Sequence, residues 1–271
     1  MTGTQRSLHS NDGETCAATL ERTVLLPCAG QQIASETLPD LVRPGGTCGD
    51  PADCDGRTLR SCMPITELLS VLPILYGNRE SGHSYKVKLA MTLLGYPHEY
   101  RAVDIDLPLE RRPADFRAVS LFGEVPVLVE GARRIVQSNA ILLHLARQTG
   151  RLGGELDPAL LEQWLFWEAN RIGISIPNLR HVMRWQPHTS DDVKTWLRSR
   201  ALHDLTRLDR ELDGKRFILG NAVTVVDVAC CSYLFWIDQA GLTLESWPHV
   251  QAWLEHIRAL PGWAAPYDLL E

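Results

Sequence analysis

Pro126 lies inside a short run, Glu124-Val125-Pro126-Val127-Leu128-Val129, whose other members read as a buried β-strand. Proline has no N–H to donate to a strand ladder, so the main chain beside it is open to something other than a neighbouring strand. Eleven residues on, Gln137-Ser138-Asn139 opens a helical run from Ala140 to Ala146. The first N–H groups of a helix have no acceptor within it, and that end of the helix dipole is positive. An interrupted strand that frees the N–H and C=O of Val125, next to a helix start that favours a carboxylate, forms a cradle for an extended, anionic, peptide-like ligand.

A second chemical element precedes this one. Ser81-Gly82-His83-Ser84 joins a short apolar strand, Pro73-Ile74-Leu75-Tyr76, to a helix predicted from Ser84 to Leu94 and stopped by Gly95. Hydroxyl and N–H groups at the positive end of a helix stabilise a thiolate and lower its pKa. No cysteine stands at this position, so the sulfur must arrive with the ligand. His83 reads as a solvated loop residue.

The elements that must hold these groups follow a simple order. After the first strand and helix come a strand over Glu99 to Ile105, a loop with a short helix over Leu109 to Val119, and the Pro126 strand. A turn at Glu130-Gly131-Ala132, a strand at Arg134-Ile135-Val136 and the helix after Asn139 complete the unit. The β-α-β-α-β-β-α order implies a mixed sheet covered by helices over residues 72–150. Beyond a hydrophilic joint, Gly150 to Asp157, only helical patterns remain: Leu160–Ile172, Val193–Leu212, Val225–Gln239 and Pro248–Leu260. Residues 158–271 therefore read as an all-helical bundle. Within it, Thr224-Val225-Val226-Asp227 is a capping box with Val223 and Val228 at the staple positions, so Thr224 and Asp227 are structural. Residues 1–71 lack sustained periodicity, and Arg43 to Gly56 is rich in turn formers; this stretch is expected to be a disordered extension.

Bulk properties narrow the partners. The chain has 271 residues, 45 % of them hydrophobic, and a formal net charge of −6, which disfavours nucleic acid and anionic membrane as partners because both require a basic face. No stretch approaches the roughly 18 apolar residues of a membrane helix, and the N-terminus lacks a basic region followed by an apolar core, so a cytoplasmic protein is expected. The seven cysteines, Cys16, Cys28, Cys48, Cys54, Cys62, Cys230 and Cys231, include no Cys-x-x-Cys and no His-rich spacing, and no metal site is expected. Cys230 and Cys231 sit in an apolar helical run as small core residues.

Taken together, Leu75-Tyr76, Ser81-Gly82-His83-Ser84-Tyr85-Lys86-Val87-Lys88-Leu89-Ala90, Glu124-Val125-Pro126-Val127-Leu128, Gln137-Ser138-Asn139-Ala140-Ile141 and the Thr224 box resemble the cytosolic glutathione S-transferases, in the family's order, from about Leu72 onward. The resemblance implies an α/β thioredoxin-like N-terminal domain with a cis proline at Pro126, an all-α C-terminal domain and a homodimer. It implies glutathione as co-substrate, conjugated to an electrophilic small molecule in a detoxification reaction. By the same resemblance Ser81 matches the catalytic serine of the theta, zeta and related bacterial classes, with Tyr76 and Asn78 as alternative thiol activators. Val125, on the Pro126 edge, would pair with the cysteinyl unit, and Gln137 and Ser138 would hold the γ-glutamyl end.

Two positions depart from the family. An acid commonly stands where this chain has Gln137, and Glu124 stands where Gln or Lys is frequent, so Glu124 is expected to repel the glycyl carboxylate if it faces the site; Arg112 is a basic residue near enough in sequence to offset it. The electrophile pocket is expected on the first bundle helix, where Trp164, Trp167, Asn170 and Arg171 fall near one face, with Trp167 and Arg171 as substrate contacts and Trp185 in a following loop. Two other outcomes fit the same residues: a non-catalytic scaffold that docks a protein partner, and a glutathione-dependent isomerase or dehalogenase.

Overall fold

The computed structural model describes residues 72–271. The extension expected over residues 1–71, with Cys16, Cys28, Cys48, Cys54 and Cys62, lies outside the described residues. The first layer contains, in chain order, β1 (Ile74–Gly77), α1 (Gly82–Leu94), β2 (Glu99–Ala102), α2 (Ala114–Val119), β3 (Val127–Glu130), β4 (Arg133–Val136) and α3 (Ser138–Thr149). The sheet order is β2-β1-β3-β4, with β1 and β2 parallel and the other pairs antiparallel.

The two-residue period of the strands sorts their side chains onto two faces. Leu75 and Leu128, opposite each other in the register, join the large core formed with α1 and α3. Tyr76 and Val127, the next pair, face the other side with Phe116 of α2. Full burial of each such aliphatic or aromatic side chain contributes roughly 1.5–3 kcal/mol. β2 stops at Ala102 and not at Ile105, because β1 offers only four residues and the ladder closes with Gly77 opposite Ala102. Pro126 stands just before the ladder instead of within it, and the Val125–Pro126 peptide is cis.

The helical layer comprises α4 (Pro158–Asn170), α5 (Ile172–Trp185), α6 (Asp191–Glu211), α7 (Val225–Cys231), a 3₁₀ segment (Ser232–Ala240), α8 (Pro248–Arg258) and α9 (Pro266–Leu269). Three elements differ from expectation, the first being α9, since no helix was expected beyond Leu260. α5 has no counterpart in the sequence reading, since Pro177 lies in its interior and marks a break by every local rule. The run Val225–Gln239 is α-helical only to Cys231 and continues as the 3₁₀ segment, which kinks where Trp236 takes φ −121° and ψ 26°. The large core passes from α1 and α3 into this layer without a gap, through Ile141, Leu165, Val225 and Trp253. No helix among the described residues is long and apolar enough to cross a membrane.

The capping box at α7 is closed and deeply buried. Val226 N donates to Thr224 Oγ1 at 3.2 Å, and Thr224 N donates to Asp227 Oδ2 at 2.8 Å. Asp227 does more than cap: Ile218 N (2.8 Å) and Trp253 Nε1 (3.0 Å) also donate to it, so it binds the preceding loop and α8 to α7. Burial pushes its carboxyl above the usual range, and the donated bonds pull it back. Asp227→Ala removes the cap, worth about 1 kcal/mol, and strands buried donors at about 1–3 kcal/mol each. Urea denaturation is expected to show a loss of at least about 3 kcal/mol; a loss under about 1 kcal/mol would leave Asp227 with the cap alone.

Candidate functional site

The start of α1, the segment before β3, the start of α3 and the inner faces of α4 and α5 surround one cavity of about 1700 Å³. The first turn of α1 is organised by serines. Ser81 is the N-cap: its Oγ accepts from Ser84 N at 3.1 Å, and its O–H donates to nothing among the described residues. A hydroxyl has one hydrogen and two lone pairs, so capping the helix leaves the hydrogen free to meet a negative atom in the cavity. Ser84 Oγ in turn accepts from Asn78 N at 3.1 Å.

The alternatives to Ser81 are otherwise engaged. Asn78 borders the cavity, but its amide donates to Val103 O at 2.8 Å and its Oδ1 accepts from Glu80 N at 2.8 Å, which fixes the loop that carries Ser81. Tyr76 points to the opposite side of the sheet, where its hydroxyl donates to Asp115 Oδ2 at 2.9 Å and accepts from Arg101 at 3.2 Å. Burial and the Asp115 bond raise its pKa, which makes it a poorer acid still. Strand alternation places it there, since Leu75 takes the inner face.

Glu124, Val125, Pro126, Gln137 and Ser138 all border the same cavity. The N–H and C=O of Val125 have no partner among the described residues. Gln137 precedes α3 with φ 69°, a conformation costing a non-glycine residue about 1–3 kcal/mol, and the first residues of the helix, Ser138, Asn139 and Ala140, border the cavity. The two residues that depart from the family pattern meet each other: Gln137 Nε2 donates to Glu124 Oε2 at 3.2 Å. Arg112 does not offset that carboxylate. Its guanidinium donates to the main-chain oxygens of Gly123 (2.6 Å), Ile105 (2.8 Å) and Leu107 (3.0 Å), and so supports the segment leading to Glu124.

His83 stands in the first turn of α1, half-buried against the cavity, and is not a solvated loop residue. Its Nδ1 lies 3.5 Å from Ser138 Oγ and its ring meets Tyr233 edge-on. Burial first, and then the charge of Lys86, lower its pKa from 6.5 to about 3. At the cavity floor Lys86 Nζ donates to Glu168 Oε1 at 3.1 Å and to Asn139 Oδ1 at 2.7 Å, while Asn139 Nδ2 donates to Glu168 Oε2 at 2.8 Å. This closed triangle joins α1, α3 and α4, with Lys86 and Glu168 buried and Asn139 half-buried. Gly173 leaves room for it, since a Cβ there would lie 2.4 Å from Glu168 Oε1.

The electrophile-side residues need correction. Trp167 and Arg171 do not border the cavity. Trp167 packs edge-on against Trp164, centroids 5.3 Å apart, at the margin of the core. Large aromatic area goes to the helix–helix contact, where it is buried most completely. Arg171 Nε donates to the buried Asp204 at 3.0 Å, and Ser175 Oγ holds the other oxygen at 2.7 Å. The cavity wall is instead Phe166 of α4 with Ile174, Pro177 and His181 of α5; Trp185 also contributes, as the last residue of α5 and not from a loop. Leu165, Phe166 and Ala169 do repeat at helical spacing, a signal outweighed in the sequence by the tryptophans. Among the described residues no cluster of His, Cys, Asp and Glu could hold a metal ion. Cys230 and Cys231 are buried in α7, and burial pushes both thiols well above their usual range.

Comparison with known proteins gives consistent matches. Residues 75–153 match the family model described as Glutathione S-transferase, N-terminal domain, and residues 159–256 match Glutathione S-transferase, C-terminal domain. The chain is similar to the disulfide-bond oxidoreductase YfcG of Escherichia coli (strain K12), 24 % identical over 205 residues that cover 71 % of this chain and 92 % of that protein. Among solved structures it is similar to a glutathione S-transferase from Pseudomonas fluorescens Pf-5, with 28 % identity, TM-score 0.65 and coverage of 72 % and 98 %. A second structure from the same organism, a glutathione transferase family member with two glutathione bound, has 22 % identity and TM-score 0.64, with coverage of 74 % and 92 %.

The histidine at the cavity supplies a test that needs no ligand. A base whose folded pKa lies below its unfolded value favours the native state only while neutral, so its contribution is complete above pH 6.5 and is lost as pH falls toward 3. Unfolding free energy measured through that window is expected to fall less steeply for His83→Gln than for the wild type. Parallel curves would mean that His83 titrates normally.

Proposed function

We propose, for a chain that belongs to the glutathione S-transferase family, that it binds glutathione in this cavity and transfers the tripeptide's thiolate to an electrophilic small molecule. The observation that carries the reading is convergence: a free hydroxyl hydrogen at Ser81, an unpaired backbone at Val125 and the open start of α3 face one cavity. Glutathione lies extended along Val125, with antiparallel main-chain bonds to its cysteinyl unit. Its γ-glutamyl carboxylate sits at the N-terminus of α3 beside Ser138. The Ser81 hydroxyl donates to the sulfur and, with the positive end of α1, holds it as thiolate. Residues 72–150 thus carry glutathione and residues 158–271 the electrophile, which rests on Phe166, Ile174 and Pro177. The reading carries with it the family's homodimer and a cytoplasmic location.

The Glu124–Gln137 contact bears on affinity. Held by the Gln137 amide, the Glu124 carboxylate faces the γ-glutamyl ammonium instead of the glycyl carboxylate, and so supplies the charge that Gln137 lacks.

A second reaction uses the same thiolate on a disulfide in place of a carbon electrophile. YfcG bears the name of such an oxidoreductase, a structural neighbour holds two glutathione, and a cavity of about 1700 Å³ accommodates more than one tripeptide. Attack of the thiolate on a glutathionyl disulfide forms one S–S bond, breaks another and releases a thiolate, with no external oxidant.

Calorimetry with glutathione tests the binding step, and an isotherm flat at millimolar ligand would favour the scaffold. Ser81→Ala is expected to lower turnover by about 10²-fold or more while leaving affinity within a few-fold, the pattern of an interaction made chiefly with the thiolate. Equal rates at saturating glutathione would remove Ser81 from the chemistry. Glu124→Gln is expected to weaken glutathione binding about tenfold, the size of one charge-assisted bond; tighter binding would restore the repulsive role for Glu124.

A further inference from the structure

We propose that Arg180 is a positioning residue for Ser81, acting across the two domains through Glu80; the inference rests on the thiol-activating role proposed for that serine. Arg180 belongs to α5, and its guanidinium is buried at 1 % exposure. Nη1 donates to the main-chain oxygen of Glu80 at 2.8 Å and Nη2 to its Oε2 at 2.6 Å. Nε donates to Gln239 Oε1 at 2.8 Å, and Nη2 also reaches Tyr267 Oη at 3.3 Å. Trp236 lies 4.4 Å and Trp185 4.9 Å from the guanidinium carbon. Arg180 borders the cavity, but four of its five N–H groups and both faces of its guanidinium are engaged by protein, so its main task is structural support.

What it holds is the backbone one residue before the Ser81 cap. The loop between β1 and α1 is pinned from within its own layer by Asn78, which bonds Val103 O and Glu80 N, and from the helical layer by Arg180 on Glu80 O. Tyr267 adds a bond to Glu80 Oε2 at 2.9 Å, and Arg184 supports Tyr267 at 2.7 Å. Fixing the main chain at Glu80 fixes the direction of the Ser81 hydroxyl, for which a displacement of about 1 Å costs on the order of 10²-fold in rate. The same helix offers Ile174, Pro177 and His181 to the other side of the cavity. One rigid element therefore sets both the place of the electrophile and the aim of the thiolate's donor.

Arg180→Lys keeps the charge and loses the planar fork. It is expected to reduce kcat about tenfold and to move the rising limb of the pH–rate profile upward, with glutathione affinity within a few-fold of wild type. Glu80→Gln, which retains the main-chain acceptor, is expected to give the same shift at smaller size. Hydrogen exchange at the amides of residues 80–84 is expected to quicken in Arg180→Lys ahead of the rest of α1. A lowered thermal midpoint with the pH profile, kcat and those amides unchanged would make Arg180 a purely structural residue and overturn the proposal. Should the wild type bind no glutathione, the proposed function fails by itself, and the exchange measurement still decides whether Arg180 holds the loop.

Discussion

A buried ammonium group stands at the joint of this molecule, and most of the site depends on how it is paired. Lys86 of α1 meets Glu168 of α4 and Asn139 of α3, each member bonded to the other two. Removing one partner of such a buried pair costs about 3–5 kcal/mol, whereas a well-packed apolar replacement of the pair is often neutral. Stability alone therefore gives little reason for it; geometry gives a better one. The triangle fixes the starts of α1 and α3 against the helical layer, and those two helix starts carry Ser81 and Ser138.

Helix termini supply many of the polar groups at the cavity. Ser81 serves α1 with a lone pair and keeps its hydrogen for the cavity, so one hydroxyl takes part in both folding and the site. Gln137 shows the opposite balance, since its positive φ costs energy locally and is held by the register of β4 and the first bond of α3, Ile141 N to Gln137 O at 3.0 Å. A site assembled from caps and an unpaired strand margin needs few dedicated side chains.

This also explains what the sequence revealed and what it concealed. The places of Ser81, Val125, Pro126, Gln137 and Ser138 at two helix starts and beside a strand were legible because caps, proline and strand alternation are local, and local rules act within a few residues. The cavity wall was not. Whether Trp167 or Phe166 faces the cleft is decided by how α4 rolls against α5, and α5 was hidden by Pro177, which tertiary packing tolerates and local propensity forbids. Arg171 looked like an unexplained cation in an apolar run; its reason is Asp204, thirty-three residues away. Arg180 gave no signal, because Glu80 lies a hundred residues upstream.

The depth of α7 has one more consequence. Cys230 and Cys231 lie in α7, which packs against α1 and α4, and their burial keeps both as neutral thiols. A neutral, inaccessible sulfur neither alkylates nor enters mixed disulfides at an appreciable rate. At these two positions the protein is insulated from alkylation and from mixed-disulfide formation.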